Sequence, residues 1–238
     1  MGYWENTTYI RHDRVADVAG ALDRVFAREG MAPVPVPAQR ARLAVEPMQY
    51  DGALDNDLWA FALFPGADGW SVLKSAPLEV LSERAQGAGR MRLVDVCREL
   101  EATAFQVNVY DSSGTVLVEV SSDGEVLMSG FSGLGDDPMR WNGIEITEER
   151  AEPAFELHDL GHLLSGDMLG DDFAQAAASE IGGRNAAYCS NLVSVDTLIS
   201  HKPLNAPGGV ALCYQWSGQS RQRRLPSDTF EQYGVRSG

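Results

Sequence analysis

Two histidines four residues apart, His158 and His162, are the residues of this chain whose types and spacing could support a reaction. On a helix, positions i and i+4 share one face, and two imidazoles spaced this way reach a single zinc ion. Pro153 to Leu164 reads as that helix, with proline near its first turn and Gly166 past its end. Asp167 is the candidate third ligand. A zinc ion with three protein ligands and one open position activates water, so the chemistry would be metal-assisted hydrolysis.

The stretch His158-Asp159-Leu160-Gly161-His162 resembles the HExxH motif of the zinc metalloproteases, with Asp159 where that motif has glutamate. The resemblance implies a water-activating role for Asp159, whose side chain is one methylene shorter than glutamate and would hold the water differently. It covers five residues, and no later histidine stands at a suitable spacing. The preferred reading is therefore an amphipathic helix with half-exposed histidines flanked by Glu156 and Asp159. No bound metal and no other cofactor is expected. His158, His162 and Asp167 are kept as the ligands of an alternative, metal-dependent hydrolase reading.

Other reactive patterns fail on spacing. Ser132 is followed at once by Gly133, which breaks the GxSxG elbow. Gly133-Leu134-Gly135 leads into Asp136 and Asp137, two carboxylates that would repel a phosphate. Asp51, Asp55 and Asp57 lack the alternation and central glycine of a calcium loop. Cys97, Cys189 and Cys213 are widely separated, form no CxxC pair, and read as reduced, mostly buried thiols.

Charge is more informative than any motif. The formal net charge is −15. Between Asp136 and Glu180 twelve carboxylates stand against Arg140 and Arg150 alone, so this segment holds −10 of the total. Such a surface repels nucleic acid and anionic membrane and attracts a basic protein. Asp136, Asp137, Glu145, Glu148 and Glu149 are the candidate partner-binding carboxylates, and Trp141, in a Gly- and Asp-rich junction, is the candidate aromatic anchor.

The elements that would position these residues follow from periodicity. Tyr3 to Ile10 reads as a strand. Asp13 to Glu29 reads as a helix with Val15, Val18, Ala19, Leu22, Val25 and Phe26 on one stripe, Asp13 as its cap and Gly30 at its end. Pro33 to Pro37 reads as a stiff extended connector. Leu58 to Phe64 and Trp70 to Lys74 flank turn residues and read as a hairpin, and helices are expected at Pro77 to Gln86 and Arg90 to Glu101. Ala104 to Tyr110, Thr115 to Val120 and Glu125 to Ser129 read as a three-strand meander. In its first strand Phe105, Val107 and Val109 alternate with Gln106 and Asn108, the pattern of a sheet covered on one face. Asp172 to Ile181 reads as a helix and Val210 to Trp216 as a strand, with Tyr188 to Ile199 open between the two.

These elements predict an α+β fold: an antiparallel sheet with helices on one face, followed by a smaller mixed subdomain. The expected division is an N-terminal α+β domain, 1–131, and an acidic C-terminal subdomain, 132–238, ending in a short basic tail. No apolar run approaches the roughly 20 residues of a spanning helix, and Met1 to Arg11 lacks the pattern of a signal peptide; a cytoplasmic location is expected. Lys74 and Lys202 are the lysines among 19 basic residues, a bias that points to a GC-rich bacterial genome. The functional expectation is a non-enzymatic acidic protein that neutralises a basic protein partner, as a bacterial immunity protein neutralises a toxin. The alternatives are the hydrolase above and a small-molecule-binding regulatory domain.

Overall fold

The computed structural model describes residues 4–35, 58–76, 80–82, 89–110, 115–131, 139–141, 144–146, 170–181 and 208–217. Ten strands and three helices lie within them: β1 Trp4–Ile10, α1 Val15–Arg28, β2 Met31–Val34, β3 Leu58–Pro65, β4 Ser71–Ala76, α2 Arg92–Leu100, β5 Ala104–Tyr110, β6 Thr115–Val120, β7 Val126–Phe131, β8 Met139–Trp141, β9 Ile144–Ile146, α3 Gly170–Glu180 and β10 Val210–Trp216. Eight strands form one sheet in the order β2-β10-β3-β4-β1-β5-β6-β7, and every neighbouring pair is antiparallel. The fold is α+β, with β5, β6 and β10 at the residues their patterning predicts.

The apolar stripe of α1 explains the first face of the sheet. Val18, Leu22, Val25 and Phe26 are buried, and α2 adds Leu93, Val94 and Cys97. They cluster with Ile10, Phe61, Leu63, Leu73, Val116 and Val118 from four strands. Phe26 lies within 4.8 to 5.6 Å, centroid to centroid, of Tyr214, Phe61 and Trp59. Gly30 ends α1 with φ of 87°, a left-handed conformation that suits glycine. The start of α1 differs from expectation. Arg14, not Asp13, occupies the N-cap position and makes no side-chain capping bond. The acidic group near the helix start is instead Asp17, paired with Arg14 at 2.5 Å.

The opposite face is covered by α3. Its sequence places Ala174, Ala177, Ala178 and Ile181 at helical spacing, and these pack on Tyr9, Ala62, Phe64, Val72, Phe105, Val107 and Leu117. Gly66, in the β3–β4 turn, permits this docking. Ala67 N–H donates to the Ile181 carbonyl at 2.6 Å, and a Cβ at Gly66 would stand 2.6 Å from that same oxygen. Both α3 and β10 come from beyond residue 132, and β10 lies between β2 and β3 in the main sheet.

Two further segments differ from their sequence reading. Part of the proline-rich connector, through Val34, is the edge strand β2, with Pro33 opposite Tyr214; proline is tolerated there because an edge strand bonds on one side only. Within the Gly- and Asp-rich junction, β7 runs on to Phe131 and β8 begins at Met139. The expected helices at 77–86 and 153–164 and the ambiguous segment 188–199 lie wholly or mostly outside the described residues.

Candidate functional site

Of the acidic site predicted from charge, the described residues contain Trp141 and Glu145. They lie on the two-strand hairpin of β8 and β9, where Trp141 pairs with Ile144 and Arg140 with Glu145. The strand β9 comes into contact with β7 without joining its ladder. The hairpin therefore contacts the last strand of the eight-stranded order. Asp136, Asp137, Glu148 and Glu149 lie outside the described residues, as do His158, His162 and Asp167 of the alternative zinc reading.

The turn before β7 is also acidic. Asp123 and Glu125 are exposed. The Ser121 hydroxyl donates to the Asp123 carboxylate and holds its pKa below the usual carboxylate value. Glu125 N–H donates to the Ser121 hydroxyl oxygen at 2.9 Å, and Arg98 Nε donates to the Asp123 carbonyl at 2.9 Å. Negative charge thus stands at the entry to β7.

Sequence reading missed a buried polar group on the face covered by α1 and α2. The β1–β5 register sets Asn6 opposite Asn108 and Thr8 opposite Gln106. Asn6 Nδ2 donates to Asn108 Oδ1 at 2.5 Å, and Gln106 Nε2 donates to Thr8 Oγ1 at 2.9 Å and to Asn6 Oδ1 at 3.2 Å. The Ser82 hydroxyl donates to Gln106 Oε1, and Asn108 Nδ2 donates to the Val116 carbonyl at 3.3 Å. All five side chains are buried. The second face of β5, polar by alternation, is therefore closed over, because its amides bond to one another and need no water. The signal was present as amides at alternate positions of two strands, but only their pairing reveals the cluster. Amides and hydroxyls do not titrate near neutral pH, so this group holds strands together and transfers no proton.

The two cysteines within the described residues, Cys97 and Cys213, are free and buried. Burial raises the Cys97 thiol far above its ordinary range and pushes Cys213 up to about 11. A thiol so raised is a poor nucleophile at neutral pH. Among the described residues no group of three His, Cys, Asp or Glu side chains is placed to hold a metal ion, and no helix is long and apolar enough to cross a membrane. Comparison with known protein families, with curated proteins and with solved structures finds no match for this chain.

Proposed function

We propose that this chain is a non-enzymatic acidic binding protein that neutralises a basic protein partner in the bacterial cytoplasm, in the manner of an immunity protein against a toxin. The observation that carries the reading is the charge distribution: −15 overall, with most of it between Asp136 and Glu180. Concentrated charge of one sign accelerates encounter with an oppositely charged protein. The position of the Trp141 hairpin beside β7, after a turn bearing Asp123 and Glu125, supports an acidic region at that end of the sheet.

The test is kinetic. A partner is isolated by pull-down from the native cell, and both rates are measured against ionic strength. Association should slow as salt rises, and reversing Asp136 and Asp137 to lysine should slow it further without unfolding the chain. Trp141→Ala should speed dissociation instead. Rates that ignore salt and all three substitutions would reduce the acidic segment to a solubilising surface. One zinc per purified chain, lost in His162→Ala, would replace this reading with the hydrolase.

A further inference from the structure

Strand alternation determines which backbone groups of β7 turn outward. In the turn before it, Ser121 N–H donates to the Glu125 carbonyl and Gly124 N–H donates to the Ser121 carbonyl, both at 3.0 Å, with Gly124 at φ of 89°. This is a three-residue hairpin loop with a glycine bulge, so Ser121 and Glu125 are a hydrogen-bonded pair. Bonded and non-bonded pairs alternate along an antiparallel ladder. Leu127, Ser129 and Phe131, opposite Glu119, Leu117 and Thr115, therefore bond to β6. Val126, Met128 and Gly130 direct their N–H and C=O groups away from it.

Strand β7 ends the sheet order; among the described residues no strand pairs with its outer side, and the β8–β9 hairpin contacts β7 without joining its ladder. Its sequence, Val-Leu-Met-Ser-Gly-Phe, contains neither charge nor proline, the usual devices that blunt an edge. The opposite edge, β2, carries Pro33. Val126 is 38% exposed and is the exposed large hydrophobic residue among those described.

We propose that the outer edge of β7 accepts one extended, antiparallel segment of a basic protein partner. The partner's charge follows from the function proposed above, on which this inference rests. Exposed Asp123 and Glu125 precede the strand, so a cationic segment is favoured at this edge. A second copy of the chain would set −15 against −15 and be repelled. In strand addition the main-chain bonds supply affinity and alternate side chains supply selectivity.

The probe is an eight-residue capped peptide of alternating lysine and valine, with residue-resolved amide exchange as the readout. In the free protein the Val126, Met128 and Gly130 amides should exchange readily. The peptide should slow them by about tenfold or more, matching the population bound, and leave Leu127 and Ser129 little changed. A peptide N-methylated at alternate residues should give no protection. Met128→Pro removes one outward N–H and none that bonds to β6, so it should fold and lose the peptide; if it does not fold, the N-methylated peptide decides. Amides already protected in the free protein, protection located elsewhere, or equal binding of the N-methylated peptide would each overturn the edge proposal and leave the acidic-binder reading standing. Equal protection of the same amides by an alternating glutamate and valine peptide would overturn the role of charge.

Discussion

Arg92 meets Glu29 through two parallel hydrogen bonds, Nε to Oε1 at 2.7 Å and Nη2 to Oε2 at 2.9 Å, and both side chains are only 5% exposed. Nη1 of the same guanidinium donates to the Val80 carbonyl at 2.9 Å, and its carbon lies 4.7 Å from the Trp59 ring centroid. Glu29 is the C-cap of α1 and Arg92 the first residue of α2. The pair therefore clamps two helices over β3 with its charges matched and its donors directed.

Removing one partner should be worse than removing both. Arg92→Met leaves the Glu29 carboxylate buried and alone, which should cost about 3–5 kcal/mol. Glu29→Leu combined with Arg92→Met should recover most of that loss. Urea unfolding of the three proteins measures the difference, and strictly additive losses would show that the pair is not coupled.

The buried amides should behave in a similar way. Gln106→Leu removes the shared partner of Asn6, Thr8 and Ser82 and should cost about 1–3 kcal/mol, the penalty for stranding buried polar groups. Asn6→Leu with Asn108→Leu should cost less than the sum of the singles, because each amide then leaves with its partner. Thermal unfolding checks both statements.

The thiols should be silent. At pH 8, iodoacetamide should label Cys97 and Cys213 far more slowly in the folded chain than in denaturant, as read by mass spectrometry of the two peptides. A raised thiol pKa means that the folded state holds its proton more tightly. The contribution of Cys213 to stability is therefore full below its unfolded value of 9.0 and is lost as pH rises through about 11. Cys213→Ser should flatten that part of the alkaline loss.

Glu99 should mark the acid side. Hydrogen bonds from Arg24, then Arg28, hold its carboxyl below its ordinary value of 4.5. A depressed carboxyl pKa stabilises the fold above the unfolded value, and the contribution disappears as pH falls through the lower folded one. The arginines are about half exposed, so each pair is worth only about 0.5 kcal/mol. In Arg24→Ala the Glu99 pKa, followed by carbon-13 NMR, should rise toward the unperturbed value.

Local patterning defines the strands and helices wherever one side of an element is uniformly apolar. Strands β5, β6 and β10 begin and end at the residues their alternation predicts, and the stripe from Val18 to Phe26 is the buried side of α1. The net charge and its concentration in one segment were equally legible, since they need no coordinates. Tertiary structure alone decided the pairing. Periodicity reports that a side chain faces something apolar and does not report what, so nothing local places β10 between β2 and β3 or α3 against the second face. For the same reason Gln106 and Asn108 read as solvent-facing. Their burial depends on Asn6 and Thr8, about a hundred residues away in sequence and directly opposite in the sheet. The edge at β7 follows the same rule: the local pattern makes Val126–Phe131 a strand, and only the completed order β2-β10-β3-β4-β1-β5-β6-β7 leaves it last.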